Sequence, residues 1–206
     1  MNNIELLGHS GIKIIGESTI YVDPYKVENP INDADYIFIT HSHYDHYSPE
    51  DVAKLKKENA VIIVPNDLVN EVTKLGFKNI IGVVPKNQYK LENISFITVN
   101  SYNIGKSFHP KENNWVGYII NVNNTKYYIT GDTDFVEEMK EVKCDIALVP
   151  IGGTYTMDYK DAARFVNEIK PKIVIPIHYG SIVGTREDAI EFKKSVNEDI
   201  KCDIMM

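Results

Sequence analysis

The sequence predicts an α/β fold in which two β-sheets pack face to face with helices outside both. Two observations carry that expectation. Strand-like segments come in two blocks, residues 1–40 and 89–130, and each block gives way to apolar strands alternating with amphipathic helices. The 206 residues, 43% of them hydrophobic, suffice for one substantial core, so a single domain over residues 1–206 is expected.

The first block contains IELLG, GIKIIG, TIYVD and YIFIT, short β-rich runs separated by turn formers, and reads as a meander ending at Thr40. Ser48 then offers an N-cap, Pro49 suits the first helical position, and Glu50 and Asp51 place acids in the first turn. A helix is expected from there to about Glu58. AVIIVP follows as a buried strand, DLVNEVTKLGF as a helix and NIIGVV as a strand. From Tyr89 to Thr130 the strands ISFITVN, WVGYIINV and TKYYIT succeed one another, with Asn123-Asn124 as a hairpin turn between the last two. The remainder reads as strand DIALVP, helix DYKDAARFVNEI capped by Asp158, strand KIVIPI, and helix TREDAIEFKKSVN capped by Thr185.

Composition narrows the function. With 29 acidic and 22 basic side chains the formal charge is -7, which argues against a broad nucleic-acid face. Cys144 and Cys202 are the two cysteines and lack CxxC spacing, so neither a disulfide framework nor a thiolate zinc knuckle is expected. The start, MNNIELLGHSGIKII, has no basic segment leading into an apolar one, and no run of about 18 apolar residues occurs. The sequence-based expectation is a cytoplasmic protein with no membrane span, acting on a small molecule.

The chemistry concentrates in HSHYDH, which sets His41, His43, Asp45 and His46 directly after the strand YIFIT. Imidazole nitrogens and carboxylate oxygens suit zinc, iron or manganese. A lone histidine is more often an ordinary loop residue, but three of the chain's six histidines fall in this one segment. Three further ligand types sit at strand ends: His109 in SFHPK, Asp132 in YYITGDTD and His178 in IVIPIHYG. Taken singly, Asp132 also reads as a turn or cap residue before a helix at DFVEEM, with Asp134 in that helix start, and His178 also reads as a core histidine.

The ordered set HSHYDH, His109, GDTD and PIHYG resembles the metallo-β-lactamase superfamily, and the resemblance runs from Ile4 to the last helix. It implies an αββα sandwich with a dinuclear metal site. By similarity His41, His43 and His109 hold one metal, Asp45, His46 and His178 the other, and Asp132 bridges them; the metals are Zn2+, with Mn2+ or Fe2+ as alternatives. GHSG, IYVDPY, GDTD and PIGGTYTMD are similar to the branch of ascorbate-phosphate lactonases and N-acyl-phosphatidylethanolamine phospholipases. Departures exclude other branches: Asp132 stands where three-histidine β-lactamases carry cysteine, and His43 stands where flavodiiron proteins carry glutamate.

Two metals about 3.5–4 Å apart can activate a shared water. The function so implied is hydrolysis of a small-molecule phosphodiester, lactone or related ester. The rival readings are a mononuclear iron persulfide-type oxygenase and an RNA-processing nuclease of the same superfamily, although no basic RNA-gripping insertion is present. Asp45 is expected to move a proton as well as to bind metal, and His9 in GHSG to contact substrate or donate a proton. Asp23 in YVDPY is expected to hold the spare N–H of a ligand histidine, and Tyr155 to lie on a loop bordering the pocket.

Overall fold

The computed structural model describes residues 3–205, and the chain divides into two compact units, Met1–Val84 and Pro85–Met206. Each unit builds one mixed sheet and places two helices against it.

In the first unit the strands are β1 (Ile4–Gly8), β2 (Gly11–Ile14), β3 (Ile20–Val22), β4 (Ala34–Phe38), β5 (Lys56–Pro65) and β6 (Asn79–Val83). The helices are α1 (Pro49–Leu55) and α2 (Val69–Lys74). The sheet order is β1-β2-β3-β4-β5-β6. Strands β1 to β3 pair antiparallel and β3 to β6 parallel, so the expected meander stops at β3, and residues 23–33 carry the chain back to start β4. Tyr21, Ile37, Ile39, Ile62 and Val64 on one face pack with Val52 and Leu55 of α1 and Val72 of α2. The opposite face, with Ile12, Ile20, Val22, Phe38 and Ile63, is buried as well. That is why YIFIT and VIIV read as continuous apolar runs rather than alternating ones.

Helix α1 ends at Leu55, short of the expected Glu58. Lys56 is extended and pairs with Ala34, and the register then shifts before Tyr36 meets Val61. The bulge draws KKEN into the strand against its helical preference, a case of pairing overriding local propensity.

In the second unit the strands are β7 (Gln88–Lys90), β8 (Ser95–Asn100), β9 (Val116–Val122), β10 (Thr125–Ile129), β11 (Ile146–Pro150), β12 (Ile173–Ile177) and β13 (Lys201–Cys202). The helices are α3 (Tyr159–Ile169) and α4 (Arg186–Ser195). The order is β13-β12-β11-β10-β9-β8-β7, antiparallel from β7 to β10 and parallel from β10 to β13. Both units thus run from hairpins into parallel crossovers, as the two strand blocks predict. Asn123 and Asn124, both at positive φ, make the β9–β10 turn. Asp158 caps α3 by accepting from the amides of Lys160 and Asp161, and Thr185 with Asp188 forms a capping box on α4. Ala162, Phe165 and Val166 of α3 and Phe192 of α4 pack on Tyr128, Ala147, Val149 and Val174. The edge strands β7 and β13 are too short to leave a pattern in sequence. DFVEEM forms only a 3-10 turn, Glu137–Met139. Among the described residues no helix is long and apolar enough to cross a membrane.

Candidate metal centre

Sequence and strand register first decide where the ligand-type residues of the first unit fall. Strand β4 ends at Phe38, and the parallel register of β3 with β4 pairs Val22 with Phe38, so Asp23 emerges beside Thr40. Asp23 is 1% exposed and accepts from the Thr40 amide at 2.7 Å and from the Thr40 hydroxyl at 2.6 Å. The same carboxylate lies 2.8 Å from His46 Nδ1. His46 Nδ1 therefore carries the proton and donates it to Asp23, which leaves the Nε2 lone pair for a metal. Having donated to Asp23, the Thr40 hydroxyl accepts from His41 Nδ1 at 3.0 Å, and His41 Nε2 is left as a donor to metal in the same way. The amides of His46 and Tyr47 both donate to the His43 carbonyl, closing the loop that carries the motif, and Ser48 caps α1 behind it.

The tip of the β1–β2 hairpin supplies His9. Gly8 pairs with Gly11, so His9 and Ser10 form a two-residue turn, and His9 takes φ 49. His9 Nε2 comes within 3.3 Å of Asp45 Oδ2, and His46 Nε2 within 3.7 Å of the same oxygen.

In the second unit the ends of β10 and β12 bring Asp132 and His178 together, with Asp132 Oδ2 3.0 Å from His178 Nε2 and 3.4 Å from His109 Nε2. His109 is fixed from behind: its Nδ1 lies 2.9 Å from Asn103 Oδ1, which also accepts from the His109 amide. Nε2 is again the atom left for a metal. His178 takes φ 57. A Cβ at Gly152 would stand 2.5 Å from the His178 carbonyl oxygen and 3.1 Å from its Nδ1, so PIGG reads as the small residue that lets this histidine sit against β11.

Non-glycine residues at positive φ cost of order 1 kcal/mol each, and three of them, His9, Asp23 and His178, are buried residues of these two clusters. Such strain is tolerated where side-chain placement matters more than local comfort.

The donor separations test whether a metal fits. Two nitrogen or oxygen ligands at about 2.0–2.1 Å from a tetrahedral ion stand roughly 3.3 Å apart. His41 Nε2 and His43 Nδ1 are 3.1 Å apart, and the contacts of Asp132 and Asp45 given above fall between 3.0 and 3.7 Å. The longer of these exceed hydrogen-bond length, yet they suit donors facing a common cation. Each cluster taken alone therefore has the chemistry of a metal site. Neither cysteine joins a candidate ligand group among the described residues, and burial pushes the Cys144 thiol up to about 12 and the Cys202 thiol up to about 11.

Residues 3–178 match the family described as the beta-lactamase superfamily domain. The chain belongs to that family. A UPF0173 metal-dependent hydrolase of Nanoarchaeum equitans is 34% identical over 204 residues, covering 95% of this chain and 92% of the relative. A solved structure from Parabacteroides distasonis, described as a candidate metal-dependent hydrolase, is 29% identical, covers 98% of this chain and 91% of its own, and superposes with a TM-score of 0.82. The metallo hydrolase Igni18 of Ignicoccus hospitalis shares the fold at the same TM-score and 24% identity, over 98% of this chain and 94% of its own. The metallo-β-lactamase fold of two mixed sheets with helices, expected from HSHYDH and its partners, is thereby shown. The chain is one of the UPF0173 metal-dependent hydrolases of this superfamily.

Sequence reasoning placed Asp23 on a ligand histidine, and the structure puts it on His46. It missed Thr40 and Asn103, which carry no motif signature, and it misplaced Asp134. That residue does not start a helix. Its carboxylate accepts from the Ile104 amide and from Lys106 Nζ, both at 2.7 Å, while Lys106 Nζ also reaches the Thr156 carbonyl at 2.7 Å and that of Gly153 at 3.3 Å. Asp134 thus ties the loop bearing His109 to the loop bearing Tyr155. Asp134→Asn is expected to cost about 1–2 kcal/mol, lowering Tm by roughly 2–8 °C, with metal content unchanged because Asn103 holds His109 independently. Calorimetry and metal analysis on the one variant check both halves of this expectation.

Proposed function

We propose that the two clusters act together as one dinuclear metal centre, in a single domain spanning both units, and that it hydrolyses a small-molecule phosphodiester, lactone or related ester. The observation that carries this reading is the backing of the histidines: Thr40, Asp23 and Asn103 each occupy an Nδ1, so that Nε2 faces another ligand-type side chain, His43, Asp45 or Asp132. Ordinary surface histidines need no such backing. In this reading His41, His43 and His109 would hold one ion, Asp45, His46 and His178 would hold the other, and Asp132 would be shared by both. Zn2+ is the first choice from the N/O donor set, ahead of Mn2+ and Fe2+.

When bound, the pair of cations supplies a hydroxide at neutral pH and draws electron density from the scissile carbonyl or phosphoryl group. Asp45 keeps one oxygen within reach of both His9 and His46, so it can pass a proton toward the leaving group while His9 steadies it or donates to substrate. Support for the finer lactonase and phospholipase resemblance is that its motifs have structural uses: GHSG turns the hairpin presenting His9, the Asp of IYVDPY backs His46, and PIGG makes room for His178. Composition favours a cytoplasmic site of action.

Metal analysis of protein prepared without chelator is expected to give close to two divalent ions per chain, and their removal is expected to lower Tm as well as activity, because metal held only by the folded chain stabilises it by mass action. A reproducible single ion under saturating metal, with oxygen consumed on a persulfide substrate, would replace this reading with the mononuclear oxygenase. Turnover of bis-p-nitrophenyl phosphate, simple lactones and thioesters then ranks the ester classes.

A further inference from the structure

Helices α3 and α4 cover only part of the second sheet: their apolar residues pack on Tyr128, Ala147, Val149 and Val174, from β10, β11 and β12. The same face continues onto β9 and β8. Tyr128 stands opposite Ile119 and Ile119 opposite Ile97, and directly opposed side chains share a face. Val99, two residues along β8, lies on it too. There the sheet meets Met139 and Val142, from the 3-10 turn Glu137–Met139 and the segment after it, instead of a helix. Phe96 and Thr98 point to the other face and are each 1% exposed, whereas Ile97 stays 40% exposed. A groove of about 720 Å³ results, with Ile97, Val99, Ile119 and Val142 among its lining, and every residue that lines it belongs to the second unit. That volume falls within the roughly 300–1,000 Å³ of sites for small organic ligands.

The rim of this groove is cationic, in a chain whose net charge is -7. Lys86, Lys126 and Lys143 line it, against Glu138 and Glu141. Glu138 is already engaged, accepting from Lys111 Nζ at 2.9 Å and from the Tyr102 hydroxyl at 3.0 Å, with Lys86 Nζ 3.9 Å away. Backbone pairing gathers the other two lysines. The Lys126 amide donates to the Asp145 carboxylate and its carbonyl accepts from the Asp145 amide, both at 2.9 Å, so Lys126 sits beside the segment that carries Lys143. Asp145 does not neutralise them, because its second oxygen holds Lys172 Nζ at 2.8 Å. Among the described residues neither Lys126 nor Lys143 enters an ion pair. An apolar groove with two uncommitted ammonium groups at one end is complementary to an apolar chain or ring that ends in an anion. Lys126 lies at the start of β10 and Asp132 beyond its other end, which sets the cationic end apart from the metal-type donors of this unit.

We propose that this groove is a second binding site, for a small amphipathic anion such as an alkyl or aryl carboxylate. The apolar part lies along Ile97, Val99 and Ile119, and the head group is held by Lys126 and Lys143. The site needs no metal, so it stands or falls independently of the dinuclear reading above.

The test is calorimetric titration of the whole protein with straight-chain carboxylates from butyrate to dodecanoate. One saturable site is expected, with affinity rising about two- to fourfold per added methylene, the gain of partial to full burial of each group. Decyltrimethylammonium, of equal chain length and opposite charge, is expected to bind about tenfold or more below decanoate. Ile97→Glu places a charge on the exposed part of the groove, and Lys126→Glu with Lys143→Glu reverses its head-group end. Each change is expected to weaken decanoate about tenfold or more, while Lys193→Glu on α4 leaves it unchanged. Thermal melts check that the variants stay folded. No saturable binding, affinity indifferent to chain length or head charge, or affinity that survives both altered grooves overturns the proposal. So does decanoate binding that a chelator abolishes and Ile97→Glu spares, since the anion then sits on the metal-type donors. A dimer in sedimentation that Ile97→Glu dissociates, without decanoate binding, overturns it in favour of a second copy of the chain covering this face.

Discussion

Asp132→Asn is expected to reduce metal occupancy to one ion or fewer per chain and to lower turnover by about a hundredfold or more, a loss of the size that removing charge stabilisation by metals produces. The carboxylate is 3% exposed, and its Oδ2 faces the Nε2 atoms of His178 and His109. If Asp132 served only as a turn residue after Gly131, asparagine would do as well and neither metal nor stability would change. On the dinuclear reading proposed above, asparagine is no substitute, because its amide would offer one acceptor and no charge to the cations. Asp134→Asn is the matched control two positions on, since that residue holds a loop rather than an imidazole. Full metal content and activity in Asp132→Asn, with loss of metal in Asp134→Asn, would reverse the assignment of the GDTD segment.

Asp23→Asn is expected to act through a proton rather than through a charge. In the native arrangement Asp23 Oδ2 accepts from the Thr40 hydroxyl and from His46 Nδ1. An amide nitrogen placed there donates instead, so His46 must offer an Nδ1 lone pair and carry its proton on Nε2, the atom a metal needs. Thr40 loses its acceptor in the same step, and its hydroxyl no longer reliably accepts from His41 Nδ1. Affinity for at least one metal is expected to fall about 10- to 100-fold, read by titrating chelator-stripped protein with Zn2+. Stability without metal is expected to drop by a few kcal/mol, because buried polar groups lose partners. Asp23→Glu, which keeps both acceptors, is expected to recover part of the affinity. Unchanged zinc titrations in Asp23→Asn would show that His46 is not held as a metal ligand.

Much of this arrangement was open to inspection in the chain itself. Metal ligands have to be particular residue types, and HSHYDH crowds four candidates into one loop. Asp132 and His178 follow apolar runs that end in turn formers, as residues at strand ends do, whereas His109, expected at a strand end, lies instead in the long loop between β8 and β9, where no periodic pattern announces it. The caps Ser48, Asp158 and Thr185 likewise announce their helices, because an N-cap is a contact within three residues. The end of α1 was misjudged because KKEN favours helix locally, and only pairing of Lys56 with Ala34 turns it into strand.

Residue type, order and spacing were sufficient to identify the family, the two mixed sheets and the candidate ligands, since these depend on which side chains occur and on contacts a few residues long. The backing of those ligands depended on the tertiary structure. Asp23 reaches Thr40 and His46 because β3 and β4 run parallel in one register, and Lys106 reaches Thr156 across fifty residues of chain. Hydrogen-bond partners so far apart are chosen by strand register and loop packing, and no local pattern encodes which of the chain's polar residues will meet.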